Sequence, residues 1–108
     1  MAFANIVDMR IYTIKPQGLP AFLKLFEEHG LPLQVKYLGK PVGYYVSEIG
    51  PLNQVVHMWG YDSLADMEAK RSARNADPAW QAYVGMTEGF ITAQETRIVR
   101  GVNFKSLG

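Results

Sequence analysis

The 108-residue chain contains no cysteine, which excludes a disulfide framework, a thiolate nucleophile and Cys-ligated zinc or iron–sulfur centres together. It has no run approaching the roughly 20 apolar residues of a membrane-spanning helix, so membrane insertion is not expected. Excess charge is missing too: eleven Lys and Arg stand against ten Asp and Glu, a formal +1. Lys15, Lys24, Lys36, Lys40, Arg71, Arg74 and Arg100 are scattered among carboxylates, and without a basic stripe no nucleic-acid partner is expected. His29 and His57 lie far apart, with no HxH or HxxxH spacing, so no metal site is predicted. The glycine-bearing stretches PQG, LGKPVG and IGP lack the spacing of a phosphate-cradling loop, and no nucleotide cofactor is predicted. The opening MAFANIVDMR has no basic region ahead of an apolar run; it reads as mature structure, with the cytoplasm as the expected compartment.

What is present is a globular composition, 48% hydrophobic and 19% charged, at a length that suits one domain. Residues 5–14 alternate Val7, Met9 and Ile11 against Asp8, Arg10 and Tyr12, the period of a strand with two different faces. After Pro16-Gln17-Gly18, the spacing of Leu19, Phe22, Leu23 and Phe26 becomes helical. Gly30 and Pro32 interrupt that pattern before Leu33, Tyr37 and Leu38 resume it, so a kinked or two-part helix is predicted to about Leu38. Gly39-Lys40-Pro41 turns the chain into VGYYVSEI and NQVVHMWGY, predicted as a hairpin around Gly50-Pro51. Ser63 three residues before Asp66 has the spacing of a capping box and starts a helix ending at Asn75 or Ala76. Asp77-Pro78 starts another, carrying Trp80, Tyr83 and Val84. FITAQETRIVRG closes as a strand, and Val102 to Gly108 form an arm or frayed tail.

Strand, helix, strand, strand, helix, strand with right-handed crossovers is the ferredoxin-like α+β arrangement, a four-stranded antiparallel sheet with helices on one face. Yet Tyr44, Tyr45, Val55, Val56, Met58 and Trp59 put apolar side chains on both faces of their strands. A second copy stacked on the bare face removes that exposure, so a homodimer with a closed, barrel-like middle is expected.

Three stretches carry a resemblance: Arg10 through Gly18; the hairpin from Val42-Gly43-Tyr44-Tyr45 through Glu48 to Trp59; and Tyr61-Asp62-Ser63-Leu64 with Asp77-Pro78-Ala79-Trp80-Gln81-Ala82-Tyr83. In order and spacing they resemble the NIPSNAP family over nearly the whole chain. The resemblance implies the dimeric α+β barrel fold. It implies little chemistry, because bacterial members have no generally established activity and animal members are mitochondrial proteins discussed in trafficking and organelle clearance. The chain departs from the family pattern at Gly60, where members often carry a basic residue, and at Met67, where they often carry Arg.

Candidate chemistry concentrates on a few side chains. Arg10 and Tyr12 share one face of the first strand and suit a carboxylate or enolate-like oxygen; the alternative is an Arg satisfied by Glu48 or Glu95 and a Tyr packed at a dimer interface. His57 shares a strand face with Trp59 and Tyr61 and is a candidate proton carrier, or else a histidine hydrogen-bonded between sheets. Tyr45, Trp59, Trp80, Tyr83, Phe22 and Phe26 are the candidate lining of a cleft between helices and sheet, or core aromatics. Met9, Met58, Met67 and Met86 would make such a lining adaptable, or are ordinary filler. His29 reads as a helix-end residue. Three readings follow: a homodimeric module binding a small, apolar or aromatic molecule or a protein; a cofactor-independent monooxygenase- or isomerase-like enzyme acting on an aromatic or polyketide-like substrate with His57, Arg10 and Tyr12 as its catalytic set; or a purely structural adaptor that needs no pocket.

Overall fold

The computed structural model describes residues 3–108. Strand β1 (Ile6–Ile14) lies in the middle of the sheet, antiparallel to β3 (Gln54–Tyr61) on one side and to β4 (Ile91–Arg100) on the other, and β2 (Gly43–Val46) flanks β3. The order β2-β3-β1-β4 is the ferredoxin-like topology expected from the element order. Helix α1 (Leu19–Leu25) and helix α2 (Leu31–Leu38) form the first crossover, and α3 (Leu64–Asn75) and α4 (Pro78–Met86) the second. Among the described residues no helix is long and apolar enough to cross a membrane.

The expected break in the first crossover is a π-helical turn at Phe26–Gly30, where Leu31 N–H donates to the Phe26 carbonyl five residues back. Pro32 has no N–H to continue the regular ladder, and widening the turn re-pairs the neighbouring carbonyl. Gly30 is required there by packing, since a Cβ would stand 2.6 Å from the Tyr83 ring. The helix starts form as their sequences indicate. Ser63 accepts from Asp66 N–H at 3.0 Å, while the Asp66 carboxylate reaches back to Asp62 N–H at 3.0 Å. Asp77 accepts from Ala79 N–H at 2.9 Å.

The hairpin differs from expectation. Strand β2 has only four residues, and a seven-residue loop, Ser47 to Asn53, replaces the predicted strand end. Gly50 at φ 108° and Asn53 at φ 62° turn the backbone out of the extended region, and Pro51 has no N–H for a ladder. Ile49 is left 92% exposed at the tip. The tail beyond β4 holds a single 3₁₀ turn, Lys105–Leu107.

Register fixes the two sheet faces. Asp8 pairs with Trp59, Arg10 with His57 and Tyr12 with Val55, and Tyr44 sits beside His57. This is the face the helices cover, because Val55, His57, Trp59 and Tyr61 alternate as the buried residues of β3. The other face carries Val7, Met9 and Ile11 from β1, Val56 and Met58 from β3, Tyr45 from β2 and Val99 from β4. No helix covers it. Both faces therefore carry apolar side chains, as the sequence indicated, and Asp8, Arg10 and Tyr12 of β1 are on the inside.

Candidate functional site

Between the helices and the covered sheet face lies a cavity of about 190 Å³. An engineered apolar cavity of about 150 Å³ accommodates benzene, so this space matches one ring with one or two small substituents. Its apolar wall is built by Phe22, Phe26, Tyr44, Trp59, Trp80 and Tyr83. Phe26 stacks on Tyr44 with ring centroids 4.8 Å apart. The lining also includes the exposed Val84 of α4 and Gln94 of β4 and the half-buried Thr87.

The polar part of the wall is unusual for a helix–sheet interior, because its charged members are all cations, Arg10, Arg71 and Arg74. Asp8, 0% exposed, anchors it. One of its oxygens accepts from Arg10 Nε at 2.9 Å and Arg71 Nη1 at 3.2 Å. The other accepts from the Thr96 hydroxyl at 2.7 Å. The Asp8 carboxylate thus holds two guanidiniums side by side. Arg10 also donates to the Tyr12 hydroxyl at 3.4 Å. Burial works against the Arg10 cation, yet its contacts with Tyr12 and Asp8 outweigh that and raise its pKa above the ordinary value.

Arg74 is different. It is 5% exposed and its partners are neutral: Nη1 donates to Gln34 Oε1 at 3.0 Å, and Nε and Nη2 donate to Asn75 Oδ1 at 3.2 and 2.8 Å. Its guanidinium lies 4.3 Å over the Trp80 ring, a favourable cation–π contact. Among the described residues no carboxylate forms an ion pair with it. Burial, followed by repulsion from Arg71, lowers its pKa to about 10, so it is still cationic at neutral pH. Three guanidiniums on this wall, Arg10, Arg71 and Arg74, are thus set against one carboxylate.

His57 completes the set. It is 3% exposed, between the edge of Tyr12 at 4.7 Å and the stacked ring of Tyr44 at 5.2 Å. Trp59 Nε1–H donates to His57 Nδ1 at 2.7 Å. An indole nitrogen can only donate, so Nδ1 is the unprotonated nitrogen and the neutral ring carries its proton on Nε2. Burial, then the nearby Arg10 cation, lowers the His57 pKa to about 4, against a smaller opposing effect of Asp8. At neutral pH this imidazole is a fixed N–H donor rather than a base.

Of the residues singled out in the sequence, Arg10, Tyr12, His57, Trp59, Trp80, Tyr83, Phe22 and Phe26 all line the cavity. Tyr45 does not: it lies on the uncovered face, 58% exposed, and its neighbour Tyr44 takes the place in the wall. The expected partners of Arg10 are also corrected. Glu95 pairs with Arg97 at 2.9 Å on the uncovered face and Glu48 is exposed in the hairpin loop; Asp8, two residues away on the same strand face, takes the role. Met9, Met58, Met67 and Met86 are absent from the lining, with Met9 and Met58 paired on the uncovered face. His29 stands 3.8 Å from Glu28 on the surface, away from the cavity. Among the described residues no group of three or more His, Asp or Glu is arranged to hold a metal ion.

Fold and site together define a ferredoxin-like α+β domain with a ring-sized, donor-rich cavity between sheet and helices. The NIPSNAP family profile matches residues 7–105, and the chain belongs to that family. It is 34% identical over 99 residues to Protein NipSnap homolog of Dictyostelium discoideum, an alignment covering 88% of this chain and 42% of that protein. The chain spans less than half the length of the curated relatives it matches. A solved NIPSNAP family protein from Agrobacterium tumefaciens is 41% identical with a TM-score of 0.88, covering 95% of this chain and 98% of that one. A putative antibiotic biosynthesis monooxygenase from Nitrosomonas europaea superposes with a TM-score of 0.67 at 12% identity, over 91% of this chain and 99% of that one, a likeness of fold alone.

Proposed function

We propose that this chain is a binding module for small anionic molecules built on a single ring, and that it works as a homodimer. The observation carrying the reading is Arg74, a buried cation whose partners, two amide oxygens and the Trp80 ring, are all neutral, beside two further guanidiniums. An uncompensated buried charge is costly, and a ligand carboxylate entering beside the apolar rings would supply the missing counter-charge. Benzoate and benzamide have the size and differ in charge. Calorimetry is expected to give benzoate the higher affinity. Arg74→Met should weaken benzoate binding by about 1.5–3 kcal/mol, the worth of a charged hydrogen bond, while changing stability little, because relief of the buried charge is offset by the Gln34 acceptor left without its donor. Equal affinity for benzamide and benzoate would sink the reading.

The homodimer rests on the uncovered apolar face, with Met9, Ile11, Val56 and Met58 at its centre. A domain this small gains from covering such a surface. Sedimentation at low micromolar concentration is expected to give one species of twice 12.1 kDa, and Met58→Glu to shift it toward the monomer. A wild-type protein sedimenting as a monomer removes the barrel.

A cofactor-independent enzyme is the second reading, favoured by the convergence of Arg10, Tyr12 and His57, three donors suited to an enolate oxygen. The binding reading is preferred because the described lining contains no carboxylate and His57 is fixed as a donor.

A further inference from the structure

We propose that the cavity contains a second subsite, a neutral-acceptor site at His57 Nε2–H, so that its ligand is a ring-sized acid carrying an additional hydroxyl, keto or enol oxygen. The inference rests on the anionic-ligand reading and narrows it. Its basis is a buried donor that nothing uses: among the described residues His57 Nε2 has no hydrogen-bond partner, although the residue is 3% exposed and lines the cavity. Buried donors are almost always paired. Here the proton is placed on that nitrogen by design of the neighbours. Trp59, 2% exposed, occupies Nδ1 with a group that can only donate, and Tyr12 and Tyr44 hold the ring plane. Trp59 is thus a positioning residue, fixing the tautomer that His57 presents.

The division of labour follows from charge. A ligand carboxylate is drawn to the guanidiniums, above all to Arg74, whose remaining N–H groups have no partner among the described residues. A neutral imidazole N–H has no advantage in that competition; it suits an uncharged oxygen elsewhere on the same molecule. A ligand lacking that oxygen leaves the donor buried and unpaired, so the site discriminates against it.

The test compares benzoate with its three hydroxybenzoate isomers by calorimetry, and follows His57 Nε2–H in the wild-type protein by ¹H–¹⁵N NMR. At least one isomer is expected to bind about 10-fold more tightly than benzoate. The ratio should fall to about one in His57→Leu and partly return in His57→Gln, whose amide restores a donor. The wild-type spectrum should show neutral His57 protonated on Nε2, with that proton moving downfield on addition of the preferred isomer and little on addition of benzoate. Where His57→Leu fails to fold, the spectrum decides alone. Benzoate binding without preference for any isomer, a preference that survives His57→Leu, or an Nε2–H signal indifferent to the isomers, as a resident water would make it, overturns the second subsite and leaves the anion site standing. Failure of all four acids to bind overturns both.

Discussion

Asp8→Asn is expected to lower the free energy of unfolding by about 3 kcal/mol, measured by urea denaturation at fixed protein concentration. Removing one partner of a buried ion pair costs about 3–5 kcal/mol because the other charge is left behind. Two guanidiniums depend on this carboxylate. The lower end applies because the side chains of Arg10 and Arg71 are 20% and 25% exposed and recover some hydration. Against a total of about 5–15 kcal/mol for a domain, such a loss moves the thermal midpoint by roughly 15 °C. The substitution also removes the negative charge that neutralises Arg10 and Arg71 from behind the lining, so benzoate should bind the folded variant at least as tightly as the wild type. A loss under about 1 kcal/mol would mean that the three arginines tolerate one another without Asp8.

The second large effect is a pH dependence assigned to one residue. The His57 pKa falls from 6.5 to about 4 on folding, chiefly through burial and then Arg10. Above pH 6.5 the ring is neutral in both states and contributes no slope. Between 6.5 and about 4 the unfolded chain takes up a proton that the folded chain refuses, so stability falls as the pH falls through this window and levels off below it. The full amplitude is about 3 kcal/mol, from about 1.4 kcal/mol per pH unit. The groups facing the ring, namely Arg10, Asp8, Tyr12 and Tyr44, supply the charges and the shielding. Protonation also opposes the Trp59 hydrogen bond, since an imidazolium carries N–H at both nitrogens. Asp66 and Asp77, whose pKa values are lowered from 3.8 chiefly by hydrogen bonds from Asp62 N–H and the Tyr37 hydroxyl respectively, lose their contributions only at lower pH. Unfolding curves at pH 8, 6.5, 5.5 and 4.5 should therefore slope in the wild type and flatten in His57→Gln. An unchanged slope in the variant would detach the effect from His57.

Much of the site was legible because it sits on regular elements. Period two on β1 and β3 put Arg10 with Tyr12 and His57 with Trp59 before any packing was known. Asp77-Pro78 placed Trp80 and Tyr83 on one short helix. Arg71 and Arg74 were not singled out, although a signal existed: with Met67 they stand four and three residues apart, on the one side of α3 that turns toward the sheet. Cations continuing a buried stripe call for an anion nearby. Tyr44 and Tyr45 could not be separated locally, because two adjacent aromatics fit either phase of a strand and only the pairing with His57 and Val56 sets it. The shortened β2 followed from backbone turns at Gly50 and Asn53 that the β-rich composition concealed.

By itself the sequence determined the order of elements, the alternation of each strand, the helix starts at Ser63 and Asp77, and hence the ferredoxin-like topology, because these depend on neighbours a few residues apart. Tertiary structure alone decided which strand face is inside. Burial by composition would hide Val7, Met9 and Ile11 and expose Asp8, Arg10 and Tyr12. The helices do the reverse, since they bring Gln34, Arg71 and Arg74 over the sheet, where Asp8 compensates the charge of Arg71 and the aromatic rings enclose the rest. The tautomer of His57 was likewise invisible in the sequence, because Trp59 fixes it through one side-chain hydrogen bond whose geometry depends on the packing of the whole helix layer.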